Sequence, residues 1–276
     1  MIPTYLKELF SYSFMQKIAI IIPAHNEEKR INKTLRAYSE YFEDLMNKDL
    51  LEYKIIVVIN ASRDKTLTIV KDMEQKNKRI TYLDLERGGK GYAVIEGFKT
   101  AIQENNDLIG FVDADMATPP EAFHDLIIRL SGYDGIIASR WMKGSIIKTK
   151  QATLRRISSR TFNFLVKSIL LLNFKDTQCG AKLFTSKAIK KVIPSLGMSQ
   201  WAFDIELLYN LKINGFKIAE TPTVWEDQKE SKLNITKVSF QMFTSIIRLR
   251  LFNSPFKFII DTYDNLPEKL KVHHKI

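Results

Sequence analysis

The chain reads as an α/β protein built on a mostly parallel sheet with helices on both faces, and three observations predict it. Short apolar runs rich in Ile and Val (Lys17–Ile22, Tyr53–Ile59, Ile80–Leu85, Leu108–Val112) alternate with longer segments of helical spacing. Each run ends in a polar or glycine-containing turn, the pattern in which a doubly wound sheet gathers a ligand at the carboxyl ends of its strands. Apolar residues at helical spacing (Phe240, Phe243, Ile246, Ile247, Leu251) recur beyond residue 230, which adds C-terminal amphipathic helices that could pack on the core, on lipid or on another subunit.

Residues 1–16 hold Tyr5, Leu6, Leu9, Phe10, Tyr12 and Phe14, a leader that reads equally as a surface-seeking helix or a disordered segment. Lys17–Ile22 is the first strand. Pro23-Ala24-His25-Asn26-Glu27-Glu28 turns it into a helix reaching about Asp44. That turn offers backbone N–H groups and short polar side chains where a base or ribose could lie, although capping alone would also account for Asn26 and the acids. Tyr53–Ile59 is the second strand, and Asn60-Ala61-Ser62-Arg63-Asp64-Lys65-Thr66 leads into a helix ending near Lys78. After the third strand, Ile80–Leu85, the Gly88-Gly89-Lys90-Gly91 loop allows close backbone approach with Lys90 in reach of a phosphate, and Tyr92–Gln103 is a helix. The loop is neither a G-x-G-x-x-G fingerprint nor a Walker A sequence.

The fourth strand is followed by a turn that carries Asp113-Ala114-Asp115. Alternate residues of an extended segment point the same way, so the two carboxylates can converge on one cation while Ala114 leaves room for a ligand. Hard oxygens with other positions open suit Mg²⁺ or Mn²⁺ shared with phosphates, whereas an isolated Asp-x-Asp reads as a solvated turn. Four such turns in register favour the first reading. Thr118-Pro119-Pro120-Glu121 then opens a helix, with Thr118 as cap, Pro119 in the first position and Glu121 completing the box.

The 276 residues are 45% hydrophobic and 26% charged, ordinary for a globular chain large enough to bury a sizeable core. They divide into the leader 1–16, a main domain 17–230 with halves 17–118 and 119–230, and a helical tail 231–276 whose last residues, from Pro267, are polar and loose. The single Cys179 excludes a disulfide framework and a cysteine zinc site, and nothing beside it makes a nucleophile triad. The net charge is +11, yet between Arg140 and Ile193 thirteen Lys or Arg face a single acid, Asp176, so the remainder is close to neutral. A confined basic excess expects an anionic partner: a phosphorylated substrate, a membrane surface or nucleic acid, the last disfavoured by the lack of a recognition motif. The apolar stretch Phe162–Phe174, broken by Lys167, would make a helix of about 20 Å against a hydrocarbon core of about 30 Å. With no signal peptide in view, the expectation is a cytoplasmic protein lying on a membrane.

The ordered set Ile22-Pro23-Ala24-His25-Asn26-Glu27-Glu28, Asn60-Ala61-Ser62-Arg63-Asp64-Lys65-Thr66, Gly89-Lys90-Gly91-Tyr92-Ala93 and Asp113-Ala114-Asp115 resembles the GT-A glycosyltransferases of family 2. Ala138-Ser139-Arg140, Asp176-Thr177-Gln178-Cys179-Gly180-Ala181-Lys182-Leu183-Phe184, Trp201-Ala202-Phe203-Asp204-Ile205-Glu206 and Trp225 with Ser231-Lys232-Leu233 resemble its dolichyl-phosphate glucosyltransferase and mannosyltransferase branch. The resemblance covers roughly residues 17–250 and makes 17–118 a nucleotide half and 119–230 an acceptor half.

What it implies is specific. Pro23, Ala24, Asn26 and Glu28 would hold the nucleoside, Lys90 would face the nucleotide, Asp113 and Ala114 would meet the nucleotide sugar or metal, and Asp115 would ligate the metal, Mg²⁺ or Mn²⁺. The family has two Asp where this chain has Ile59 and Asn60; Asn60 presents a donor and an acceptor, so it could still read a base, uracil or guanine. His25 replaces the more frequent Tyr. Arg140 matches a phosphate-binding position. Arg155 and Arg156 join it from charge and place, general membrane attraction being the equal alternative, and Lys182 is grouped with them as an acceptor-phosphate residue. Phe162, Leu165, Val166, Ile169 and Leu170 form an apolar face that reads as core or as lipid interface, and the resemblance tips it to the interface. Asp204 or Glu206 could face the donor. An acid there is a base in relatives that glycosylate hydroxyls, but a phosphomonoester, with a second pKa of about 6, needs no strong base.

The implied activity is inverting, metal-dependent transfer of a hexose from a UDP-glucose or GDP-mannose type donor to a polyprenyl or dolichyl phosphate at a membrane surface. Transfer to a glycan hydroxyl by the same fold, or a non-enzymatic module that binds anionic membranes, are the alternatives.

Overall fold

The computed structural model describes residues 15–148, 153–197, 202–226 and 235–265. Strand β1 (Lys17–Ala24) lies inside the sheet, parallel to β2 (Glu52–Asn60) on one side and to β4 (Leu108–Phe111) on the other, and β3 (Ile80–Leu85) adds to β2 in parallel. The ladder then takes in strands from the second half. β7 (Lys182–Thr185) runs antiparallel between β4 and β5 (Gly135–Ser139), and β8 (Ile218–Pro222) lies parallel to β5, giving the order β3-β2-β1-β4-β7-β5-β8. β6 (Ile146–Ile147) and β9 (Val224–Trp225) form a separate parallel pair. The expected α/β class and its mostly parallel sheet are what the structure has, with β7 as the reversed strand.

The two-residue period of β1 explains the layers. Ile18, Ile20 and Ile22 enter one core with Leu35, Tyr38 and Phe42 of α1 (Ile31–Asn47), Val70 of α2 (Thr66–Lys76) and Phe123 of α4 (Pro120–Arg129). Ala19 and Ile21 enter the other, with Val94 and Phe98 of α3 (Lys90–Gln103), Ile189 of α6 (Ser186–Val192) and Leu207 of α7 (Phe203–Ile213). Helix α3 comes unusually close to β1, because a Cβ on Gly97 would stand 2.6 Å from Cγ2 of Ile21.

Two local expectations change. Helix α4 begins one residue later than its sequence suggested: Pro119 is the N-cap, Pro120 the first helical residue, and the Thr118 carbonyl instead accepts a 2.9 Å bond from the buried Tyr38 hydroxyl. The face assigned to a lipid interface is core. In α5 (Thr153–Leu170), Phe162, Val166 and Leu170 are buried against Ile246 and Leu249 of α8 (Ile235–Phe252), and α9 (Lys257–Asp264) follows. An amphipathic stripe states that something covers it, and here the cover is the chain's own helix. The outward side of α5 carries Arg160, Lys167 and Phe164, the last 67% exposed. No helix among the described residues is long and apolar enough to cross a membrane. The leader up to residue 14, the tail beyond 265, Trp201, Ser231-Lys232-Leu233 and the side chains of Arg155, Arg156 and Phe240 lie outside the described residues.

Candidate active site

At the carboxyl ends of β1, β2 and β4 lies a cleft of about 500 Å³. Pro23 from the end of β1, His25 and Glu27 from the turn after it, Asn60 from the end of β2, Gly88 and Gly89 from the loop before α3 with Lys90 at its first position, and Asp113, Ala114 and Asp115 from the turn after β4 line it. Gly89 caps α3 at φ 127°, a left-handed conformation that suits glycine, and Lys90 starts the helix. Ala61 and Met116, at φ 51° and 65°, turn the chain sharply behind β2 and β4. Such conformations in non-glycine residues cost about 1 kcal/mol or more and gather where the surroundings fix a functional turn.

Helix α1 holds the acidic turn from the side. Thr34 Oγ1 donates to the Ala114 carbonyl at 2.7 Å, as Tyr38 does to that of Thr118, so both ends of the turn are pinned. Asp115 Oδ1 accepts from the Ala117 N–H at 3.0 Å. Burial and the neighbouring Asp113 carboxylate raise the Asp115 pKa above the ordinary range. Asp113 Oδ1 in turn lies 2.6 Å from Lys90 Nζ, whose 4.0 Å neighbour is Oδ2 of Asp204 on α7. Burial opposes the Lys90 charge, but Asp113, Asp204 and Asp115 outweigh it and hold the ammonium above its ordinary range.

The expected residues are thus partly brought together. Pro23, Asn60, Lys90, Asp113, Ala114 and Asp115 share the cleft, and Asp204 joins through Lys90. Ala24 is buried in β1. Asn26 and Glu28 instead tie the first turn to the second: Asn26 Oδ1 accepts from the Arg63 N–H at 2.9 Å, and Glu28 Oε2 from the Lys65 N–H at 3.1 Å. Glu27, overlooked in the sequence, lines the cleft in a two-bond pair with Arg30 at 2.7 and 2.8 Å.

Lys182 is not where an acceptor phosphate could meet it. Its side chain is fully buried, and Nζ donates to Asp204 Oδ1 and to the Cys179 carbonyl, both at 2.6 Å. A strand buried on both faces gives a lysine no route to solvent, so its charge is answered internally. Burial would raise the Asp204 pKa, but Lys182, Lys90 and Arg140 overcome this and hold the carboxyl below its ordinary range. Arg140 is also committed: Nε and Nη2 meet the fully buried Asp176 at 2.7 and 2.9 Å, and its backbone N–H adds a third bond at 3.0 Å. Its guanidinium lies 5.2 Å from the Trp225 ring and 5.8 Å from Trp141, while Arg160 lies 5.1 Å from Trp141. The Glu226 N–H, next to Trp225, donates to the Ala117 carbonyl at 2.9 Å, so this cationic and aromatic wall adjoins the acidic turn. Cys179 is buried, with its thiol pushed up to about 11 by burial and Asp176, and it is inert packing as expected.

A doubly wound sheet with a glycine loop, a lysine and a carboxylate pair at the carboxyl ends of its strands is the architecture in which α/β enzymes place a ligand site. Residues 19–193 match the family model Glycosyl transferase family 2, and the chain belongs to that family; it is a glycosyltransferase. It is similar to the dolichyl-phosphate beta-glucosyltransferase of Dictyostelium discoideum, 32% identical over 243 residues that cover 84% of this chain and 73% of that protein. The enzyme of the same name from Drosophila melanogaster is 34% identical over 232 residues, covering 79% and 69%. Among solved structures, glucosyl-3-phosphoglycerate synthase of Mycobacterium tuberculosis in complex with Mn²⁺, UDP and glucosyl-3-phosphoglycerate superposes with a TM-score of 0.63 over 87% of this chain and 82% of that one. At 16% identity that likeness is one of fold.

Proposed function

We propose that the chain transfers a hexose, glucose by the names of its relatives, from a nucleotide diphosphate sugar to a dolichyl or polyprenyl phosphate at a membrane surface, with a divalent cation and with inversion. The observation that carries this reading is the meeting of Lys90, Asp113 and Asp115 in one cleft beside the Arg140–Trp225 wall. Lys90, though held by Asp113, is 40% exposed at a helix N-terminus, a setting suited to a diphosphate. Arg140 with Arg160 would present cationic faces to the acceptor phosphate, while Asp176 holds Arg140 still.

A divalent cation fits the donor set. Asp115 keeps one oxygen outside its bond to Ala117, and its carboxyl is crowded by Asp113, a repulsion that a cation relieves. Among the described residues no cluster of three or more His, Cys, Asp or Glu offers a closed cage, so Mg²⁺ or Mn²⁺ would complete its shell from diphosphate and water. When bound, it would supply charge neutralisation for the departing diphosphate. The residues then have positioning work: Lys90 on the donor, Arg140 on the acceptor, and Asp204 beside Lys90. A phosphate acceptor is largely ionised near neutral pH, and the lowered pKa of Asp204 makes it a weak base, which favours phosphate over hydroxyl as the nucleophile. One displacement on an α-linked donor gives the β product for which the relatives are named.

Membrane contact is supported by exposed Phe252, Phe256 and Phe258 around the α8–α9 corner, with Arg250 and Lys257 beside them. The test is incubation with labelled UDP-glucose or GDP-mannose and dolichyl phosphate, with and without Mn²⁺. Metal-dependent label in the organic phase from UDP-glucose is expected; label only in water-soluble glycan would overturn the acceptor assignment, and no turnover of either donor would overturn the proposed reaction.

A further inference from the structure

We propose that the segment Gly180–Lys182 is the positioning element for the two carboxylates that flank Lys90, with Gly180 setting Asp113 and Lys182 setting Asp204. Strand β7 pairs antiparallel with β4 in the register Phe111↔Lys182, which brings the residues just before β7 alongside those just after β4. A Cβ on Gly180 would stand 1.8 Å from Oδ2, 2.4 Å from Cγ and 3.0 Å from Oδ1 of Asp113. The whole carboxylate therefore lies over the bare Cα. Gly180 is not among the glycines with positive φ, so its backbone is one that other residues adopt. Close approach by Asp113, and not backbone freedom, is what calls for glycine here.

Two residues further on, the fully buried Lys182 ammonium holds Asp204 Oδ1 at 2.6 Å and is itself held by the Cys179 carbonyl. Asp113 is thereby confined between the Gly180 backbone and Lys90, and Asp204 between Lys182 and Lys90. The role in donor binding rests on the proposed function; the contact itself does not.

Gly180→Ala is compared with wild type, and again in an Asp113→Ala background where there is no carboxylate to displace. Mn²⁺–UDP affinity, measured by calorimetry, is expected to fall about 10- to 100-fold in Gly180→Ala, the scale at which lost support of a metal-site carboxylate weakens binding, with no further fall on adding Gly180→Ala to Asp113→Ala. Melting temperature is the second readout and needs no ligand: a fall of about 3–10 °C is expected in the wild-type background and none in Asp113→Ala. If Gly180→Ala alone fails to fold, recovery of folded protein in the double variant supports the same contact. Equal losses in both backgrounds, no change in either readout, or failure of both variants to fold would overturn the proposal. Absence of Mn²⁺–UDP binding by wild type counts against the proposed function, and the melting comparison then decides the contact by itself.

Discussion

At the scale of single residues, the site is a chain of alternating charges, Asp115 and Asp113, Lys90, Asp204, Lys182, with unequal exposure. Asp204 and Asp115 respond oppositely to pH. Asp204 is held below the ordinary carboxylate range, so its ionised form stabilises the fold above about pH 4, and that contribution is lost as the pH falls through its lower folded value. Asp204→Asn is therefore expected to lower the melting temperature at pH 7 and to differ less from wild type as the solution is acidified. Asp115 is raised, so ionising it costs the folded state; metal-free Asp115→Asn should melt higher than wild type at pH 7, the gap closing below about pH 4. The same Asp115 removed as Asp115→Ala should cost transfer at least about 100-fold while circular dichroism stays unchanged. Lys182→Met leaves Asp204 without its buried partner and should cost about 3 kcal/mol in urea unfolding. Lys182 shows what a sequence hides: a lysine in a basic segment looks like a phosphate ligand until a strand turns it inward. Asp176, by contrast, was in plain view as the single acid among thirteen basic residues, and charge balance alone could have paired it with an arginine.

At the scale of elements, β1 to β4 and their turns were legible because each strand carries its own apolar run and each turn its own punctuation. The observed strands Lys17–Ala24 and Glu52–Asn60 extend the expected ones by a residue or two, and Ile80–Leu85 has the expected limits. β5, β7 and β8 were not legible, since each is specified by pairing with segments far away in the chain, and β7 in addition runs against both its neighbours. Helix α5 was legible as a helix but not in its packing. Phe162→Ala should cost about 3–5 kcal/mol, whereas Phe164→Ala should stay within about 0.5 kcal/mol by chemical denaturation, because the first is buried and the second projects outward.

At the scale of the whole molecule, the basic excess of 140–193 remains the broadest signal, although Lys182 is spent on internal partners and Arg140 shares its charge with Asp176. Binding to vesicles containing anionic lipid is expected to weaken as ionic strength rises from 0.05 to about 0.5 M, since screening shortens the reach of exposed charge to a few ångströms; retention unchanged by salt would assign the attachment to the exposed phenylalanines. The insertion of β7 beside β4 has a consequence for how the polypeptide is made. An N-terminal fragment ending near residue 118 would expose the apolar edge Leu108–Phe111, whose neighbour is supplied only by residues 182–185. Such a fragment should aggregate when expressed alone, and on the ribosome the early strands must wait for some seventy further residues before their last hydrogen-bonding partner arrives.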